Sequence, residues 1–281
     1  MAKKKATSKK TSTKVTKKVE AKEVKPVKKV EAVKVVASKS NNKIIETALK
    51  PSSLAALTAE FIGTFLLAGV VLASQGAPVS LLFGLVAIVL ILGNVSGAHV
   101  NPLLTVGAWA TRRISSFRAL GYIIAQILGA MLAFVIFNAF VSAAPQISAE
   151  AQYYGQTQAA MFTASPIVEG KEWLILLAEL LGATIFGFAV AHITADKKHN
   201  STAVALGVGT GLFLAAILSG YLANVIGGGV VLNPAIAISL QAFTVKGTST
   251  VWAIATYAGA SLIGGILGFG LSSLIAKNSD K

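Results

Sequence analysis

Two stretches constrain the fold of this 281-residue chain: Ser96-Gly97-Ala98-His99-Val100-Asn101-Pro102-Leu103 and Gly229-Val230-Val231-Leu232-Asn233-Pro234-Ala235. In each, an Asn-Pro pair follows a long apolar segment and precedes a short one. Asn is a favoured helix N-cap, and Pro suits the first helical position. Each pair therefore predicts a helix start inside membrane-grade sequence. The apolar runs that follow, 102–111 and 234–243, give about 15 Å of helix each at 1.5 Å per residue. That is half of a ~30 Å hydrocarbon core. Two half-length helices opened by the same dipeptide point to a pore.

The rest of the chain supplies the membrane. Only 13% of its residues are charged and 54% are apolar, where a soluble domain carries about 25% charge. Six apolar segments, at about 54–73, 80–95, 119–142, 173–193, 203–223 and 251–275, read as spans. The half-length segments lie after the second and fifth. With no Cys, thiol chemistry and a disulfide framework are excluded. His99, His192 and His199 form no metal-spaced pair. No nucleophile–base pair or phosphate loop is present. The chain is read as a channel-type protein, not an enzyme, with no cofactor or metal.

Charge divides the chain. Residues 1–50 hold 16 Lys against 4 Glu, and residues 51–281 hold 9 Lys/Arg against 7 Asp/Glu. The first region has no aromatic and cannot bury enough apolar area to offset its ordering entropy. It is expected to be a disordered Lys-rich cytoplasmic tail, with non-specific contact to anionic lipid or nucleic acid as the sharper reading. If the tail is cytoplasmic, Arg112, Arg113, Arg118, Lys197, Lys198, Lys277 and Lys281 share its side. Only Lys171 and Lys246 fall on the other. This asymmetry predicts both termini inside a cell membrane.

An internal repeat completes the pattern. Ala59-Glu60-Phe61-Ile62-Gly63-Thr64-Phe65 in the first span is echoed by Ala178-Glu179-Leu180-Leu181-Gly182-Ala183-Thr184 in the fourth. Each half reads as span, span, half-helix, span, over about 51–145 and 170–277. Three spans per half invert the second half relative to the first. Inverted repeats place a shared site near the midplane, with discontinuous helices aimed at it. The expected fold is all-α: six transmembrane helices and two re-entrant half-helices, forming a channel domain over 51–277.

These motifs resemble those of the major intrinsic protein family, the aquaporins and aquaglyceroporins. The carriers are Ser-Gly-Ala-His-Val-Asn-Pro at 96–102, Leu-Asn-Pro-Ala at 232–235, the opening at 59–65, and Tyr122-Ile-Ile-Ala-Gln126-Ile-Leu-Gly129-Ala. The resemblance covers about 52–276. It implies a membrane-embedded homotetramer passing water or small neutral solutes. Asn101, Pro102, Leu103, Asn233, Pro234 and Ala235 would stand at the pore centre.

The acids inside the spans, Glu60 and Glu179, have two readings. One is a proton relay. The other, which the resemblance favours, is support of the re-entrant loops by accepting their backbone N–H groups, with His99 holding the first loop. Ungapped counting from the Asn-Pro pairs places the family's narrow ring at Leu81 (or Phe83), Tyr221, Val230 and Ile236. Family members usually carry Arg where Ile236 stands, and Ala where Leu103 stands. Ala237 replaces the Asp usual in glycerol channels. Tyr257 matches the aromatic usual in water channels, and Ala260 lacks a frequent Pro. The implied ring is apolar, with one hydroxyl from Tyr221, and it leaves open a channel for other neutral solutes such as protonated organic acids or gases. The altered ring and the Lys-rich tail leave a third reading, a non-conducting membrane scaffold whose basic tail recruits anionic partners.

Overall fold

Proline stands at the first position of four helices, at Pro51, Pro78, Pro102 and Pro234, where its missing N–H would have had no intrahelical partner. The computed structural model describes residues 51–279; the expected tail, 1–50, lies outside them. Every regular element among the described residues is helical. The long helices are α1 (Pro51–Ala73), α2 (Pro78–Ser96), α4 (Ser116–Ala143), α6 (Glu172–Ile193) and α7 (Ser201–Val225). A sixth span is assembled from α9 (Thr250–Ile254), a π-helical turn (Ala255–Ala260) and α10 (Ser261–Ser279). All six are long and apolar enough to cross a bilayer.

The half-helices are α3 (Pro102–Ala110) and α8 (Pro234–Ser239). The second stops four residues short of its expected end. Gln241 there takes a left-handed φ of 54°, and a 3-10 turn, Ala242–Thr244, follows. A short helix in the connection between the repeats, α5 (Ala149–Tyr153), was not foreseen from hydropathy. It is amphiphilic and exposed, so it gives no apolar signal.

The repeat is visible in the packing. The two most extensive helix contacts are α1 on α4 and α6 on α10. Both crossings depend on a glycine at the matching position. A Cβ on Gly129 would strike the Phe61 carbonyl oxygen, and one on Gly264 would lie 2.8 Å from the Leu180 carbonyl oxygen. Backbone cannot yield as a side chain can, so each site needs the smallest residue. The half-helices are exchanged between repeats: α3 packs chiefly on α10, and α8 chiefly on α4.

Helix order puts the turns 111–115 and 194–200 at one end of the bundle, with the start of α1 and the end of α10. The opposite end holds 74–77, 144–171 and 240–249. Arg113 ties the first end together. Its Nη1 donates to the Ala191 carbonyl in the last turn of α6 at 2.9 Å. Its guanidinium lies 5.0 Å over the Phe269 ring of α10. Partial burial lowers its pKa from the ordinary arginine value.

Candidate functional site

Asn101 and Asn233 do two jobs each. As N-caps, they accept with Oδ1 from their own half-helices: Asn101 from Leu103 N at 3.0 Å, and Asn233 from Ala235 N at 3.0 Å and Ile236 N at 3.4 Å. With Nδ2 they donate across the repeat axis. Asn101 donates to the Leu232 carbonyl at 2.8 Å, and Asn233 to the Val100 carbonyl at 3.1 Å. The two half-helix starts are thus locked to each other by a reciprocal pair of bonds. Both side chains are nearly buried, 2% and 3% exposed.

Val100 and Leu232, the residues just before each Asn, have φ of 46° and 55°. Left-handed backbone costs about 1–2 kcal/mol for a residue with a Cβ. It persists because both backbone groups of each residue are tied. Val100 donates its N–H to Glu60 Oε2 at 2.7 Å and offers its carbonyl to Asn233. Leu232 donates to Glu179 Oε1 at 2.8 Å and offers its carbonyl to Asn101. The side chains of Val100 and Leu232 press into space left by Gly63 and Gly182, which occupy matching places in the repeat.

The carboxylates are fully buried. Glu60 also accepts from His99 N at 2.9 Å, Ser96 Oγ at 2.6 Å and Gln126 Nε2 at 2.7 Å. Glu179 accepts from Val231 N at 2.9 Å and Ser261 Oγ at 2.6 Å. A buried acid offers up to four lone-pair sites, and re-entrant backbone at membrane depth needs partners within protein. The His99 ring lies edge-on to Tyr122, its Nδ1 3.2 Å from Thr105 Oγ1. It sits at the loop, away from the cavity wall described next.

A cavity of about 480 Å3 opens at the end opposite Arg113. The irregular segment 229–232 forms part of its wall, and the lining stops at Leu232, one residue short of Asn233. No charged side chain lines it. Of the ring expected from counting, Leu81, Tyr221 and Val230 stand on this wall. Phe83 does not: it is 65% exposed on the outward face of α2. Two helical residues turn the side chain about 200°, so Leu81 and Phe83 cannot share a face. Ile236 is also off the wall, 1% exposed among core side chains. A short branched side chain in the first turn of α8 packs inward, into an apolar cluster.

Counting missed Gly220, Asn224 and Ser165, which do line the cavity. The signal for two of them was present. Ala216, Gly220 and Asn224 lie four residues apart, making one small and polar stripe on α7. A Cβ on Gly220 would meet nothing within 4 Å, so the cavity is open beside this residue. Tyr221, next to it, is 68% exposed at the rim.

The family model described as "MIP: Major intrinsic protein" matches residues 76–221. Glycerol uptake facilitator protein-like 6 of Lactiplantibacillus plantarum is 33% identical over 217 residues, 74% of this chain and 92% of that protein. Aquaporin Z of Photorhabdus laumondii is 29% identical over 237 residues, 78% of this chain and 96% of that protein. The aquaglyceroporin structure from Plasmodium falciparum shares the fold with a TM-score of 0.60 at 16% identity, covering 81% of this chain and 98% of that chain. With two inverted, cross-bonded half-helices and these relatives together, the chain belongs to the major intrinsic protein family.

Proposed function

We propose that this protein is a passive channel for water and small neutral solutes. The observation that carries the reading is the reciprocal bonding of Asn101 and Asn233 at the facing starts of α3 and α8. Each Asn amide spends one N–H on the opposite loop and has a second for a passing oxygen. The positive ends of the half-helix dipoles converge on the same point, disfavouring a cation there. Pro102, Leu103, Pro234 and Ala235 shape the two starts; Glu60, Glu179 and His99 brace the loops. Leu81, Tyr221 and Val230 flank the route. The relatives' names, a glycerol uptake facilitator and an aquaporin, are consistent with such permeants. The arrangement we favour is a homotetramer in the plasma membrane with the Arg113 end and both termini cytoplasmic. The basic tail would then face anionic lipid headgroups.

Stopped-flow swelling of proteoliposomes tests the reading. Water or neutral-solute permeability well above protein-free vesicles is expected. Values equal to protein-free vesicles for water, glycerol and urea would end it.

A second reading is favoured by one feature. The cavity lacks any charged side chain, and Ile236, standing where family members usually carry Arg, is held in the core behind that wall and sends no charge into it. Such a wall suits less polar neutral species, such as protonated organic acids or dissolved gases. Ile236→Arg should then reduce their uptake while water permeation continues. Unchanged uptake, with water and glycerol passing freely, would reject this second reading.

A further inference from the structure

The sixth span is interrupted at a cost. Residues Ala255–Ala260 form a π-helical turn between two α-helical segments. Such turns are rare, and they occur mostly as single insertions, often at functional sites. Within this turn the Thr256 hydroxyl is buried with no hydrogen-bond partner. Thr64 and Thr184, in regular helices, bond the carbonyls of Glu60 and Leu180 four residues back. A buried hydroxyl without a partner needs an explanation; Ser272, in the α-helical part of the same span, is another, so what sets this turn apart is its register and the side chain that follows Thr256.

The side chain that follows Thr256 in this turn is Tyr257. Its counterpart in the first repeat, Tyr122, lies in the unbroken α4 and donates to the Ser96 carbonyl of its own repeat at 2.7 Å. Tyr257 instead donates to the Ser165 carbonyl at 3.1 Å. Ser165 belongs to the connection between the repeats, which forms one wall of the cavity mouth. That connection is tied to the first repeat by Gln75 Nε2 on the Ala160 carbonyl at 2.8 Å and by Phe162 N on the Leu72 carbonyl at 3.1 Å. On the far side, Ile167 N donates to Thr248 Oγ1 at 2.8 Å. Ser165 itself leans on the opposite wall: a Cβ on Gly229 would lie 2.8 Å from Ser165 Oγ.

Building on the channel reading, we propose that Tyr257 is a positioning residue for the cavity mouth. The π-helical turn aims its hydroxyl at Ser165, the bond holds Ser165 against Gly229, and the held segment sets the largest neutral solute admitted. Tyr257 does not line the cavity itself. It acts through Ser165 alone.

The full-length chain in proteoliposomes tests this with Tyr257→Phe, which removes the hydroxyl and keeps the ring in its buried place. Swelling is measured in water, glycerol, erythritol and xylitol. The two larger polyols should gain relative to glycerol by about fivefold, the factor one neutral hydrogen bond is worth in an opening equilibrium. Water permeability should not change. A second readout does not depend on transport. The chain has no Cys, so Ser165→Cys gives a single thiol at the wall. Its reaction with a membrane-impermeant maleimide should quicken about fivefold when Tyr257→Phe is added, by the same equilibrium. An unchanged thiol rate overturns the positioning role. A faster thiol with an unchanged polyol profile overturns the link to solute size. If the parent chain passes nothing, the channel reading falls and the size claim with it, while the thiol rate still decides the Tyr257–Ser165 bond.

Discussion

At the scale of single residues, the site is two strained positions held from both sides. Val100 and Leu232 would relax out of the left-handed region if either backbone tie were lost. Glu179→Gln tests the carboxylate side. The amide keeps one acceptor oxygen and turns an NH2 group toward a backbone N–H, leaving either Val231 or Leu232 without its partner. A buried donor left unsatisfied costs about 1–3 kcal/mol, so a lowered melting temperature in detergent is expected. An unchanged melting temperature would show that the carboxylate is not a brace. The Asn caps were legible in the sequence because capping is local: Asn-Pro states both the cap and the first helical residue. The cross-bonds were not legible. They join residues 131 and 133 positions apart, and no local pattern reports such a pairing.

Among elements, helix crossings rest on small residues at matched places. Gly264→Ala would set a methyl 2.8 Å from the Leu180 carbonyl and 2.9 Å from Thr184 N. Overpacking of this kind costs about 1–3 kcal/mol, more where only backbone could move. Gly270, six residues on in the same helix, has nothing within 4 Å of its Cβ position. There Ala should stabilise by about 0.5–1 kcal/mol through helix propensity. Thermal unfolding of the two variants in one detergent is expected to move in opposite directions. Equal shifts would reject the packing argument. The spans themselves were readable from apolar length, within a few residues at each end. The π-helical turn was not, because Ala255–Ala260 is as apolar as its flanks and hydropathy cannot sense hydrogen-bond register.

For the whole molecule, the contacts that join the two repeats include the packing of α2 on α7, the Asn cross-bonds, the exchanged half-helices and the Arg113 staple. Arg113 belongs to the first repeat, while Ala191 and Phe269 belong to the second. A hydrogen bond to a charged group is worth about 1.5–3 kcal/mol. The side chain is partly exposed, so the lower part of that range applies. Arg113→Ala should lower the melting temperature, and Arg113→Lys should recover only part of the loss, since an ammonium keeps the charge but not the planar stacking on Phe269. Full recovery by Lys would reduce the staple to simple charge placement.

The sequence alone determined what depends on short-range pattern: six spans, two half-helix starts, an inverted repeat and, through its motifs, the family. Hydropathy, capping and repeat spacing are each written within a few consecutive residues. Tertiary structure decided which side chains line the cavity. Leu81 faces in where Phe83 faces out, Ile236 is drawn into the core, and Gly220, Asn224 and Ser165, which counting did not name, line the cavity. A residue's position in a motif does not state the rotation of its helix, and that rotation is set by packing against distant neighbours. The width of the mouth therefore belongs to the folded molecule, where a tyrosine from the sixth span reaches the connection between the repeats.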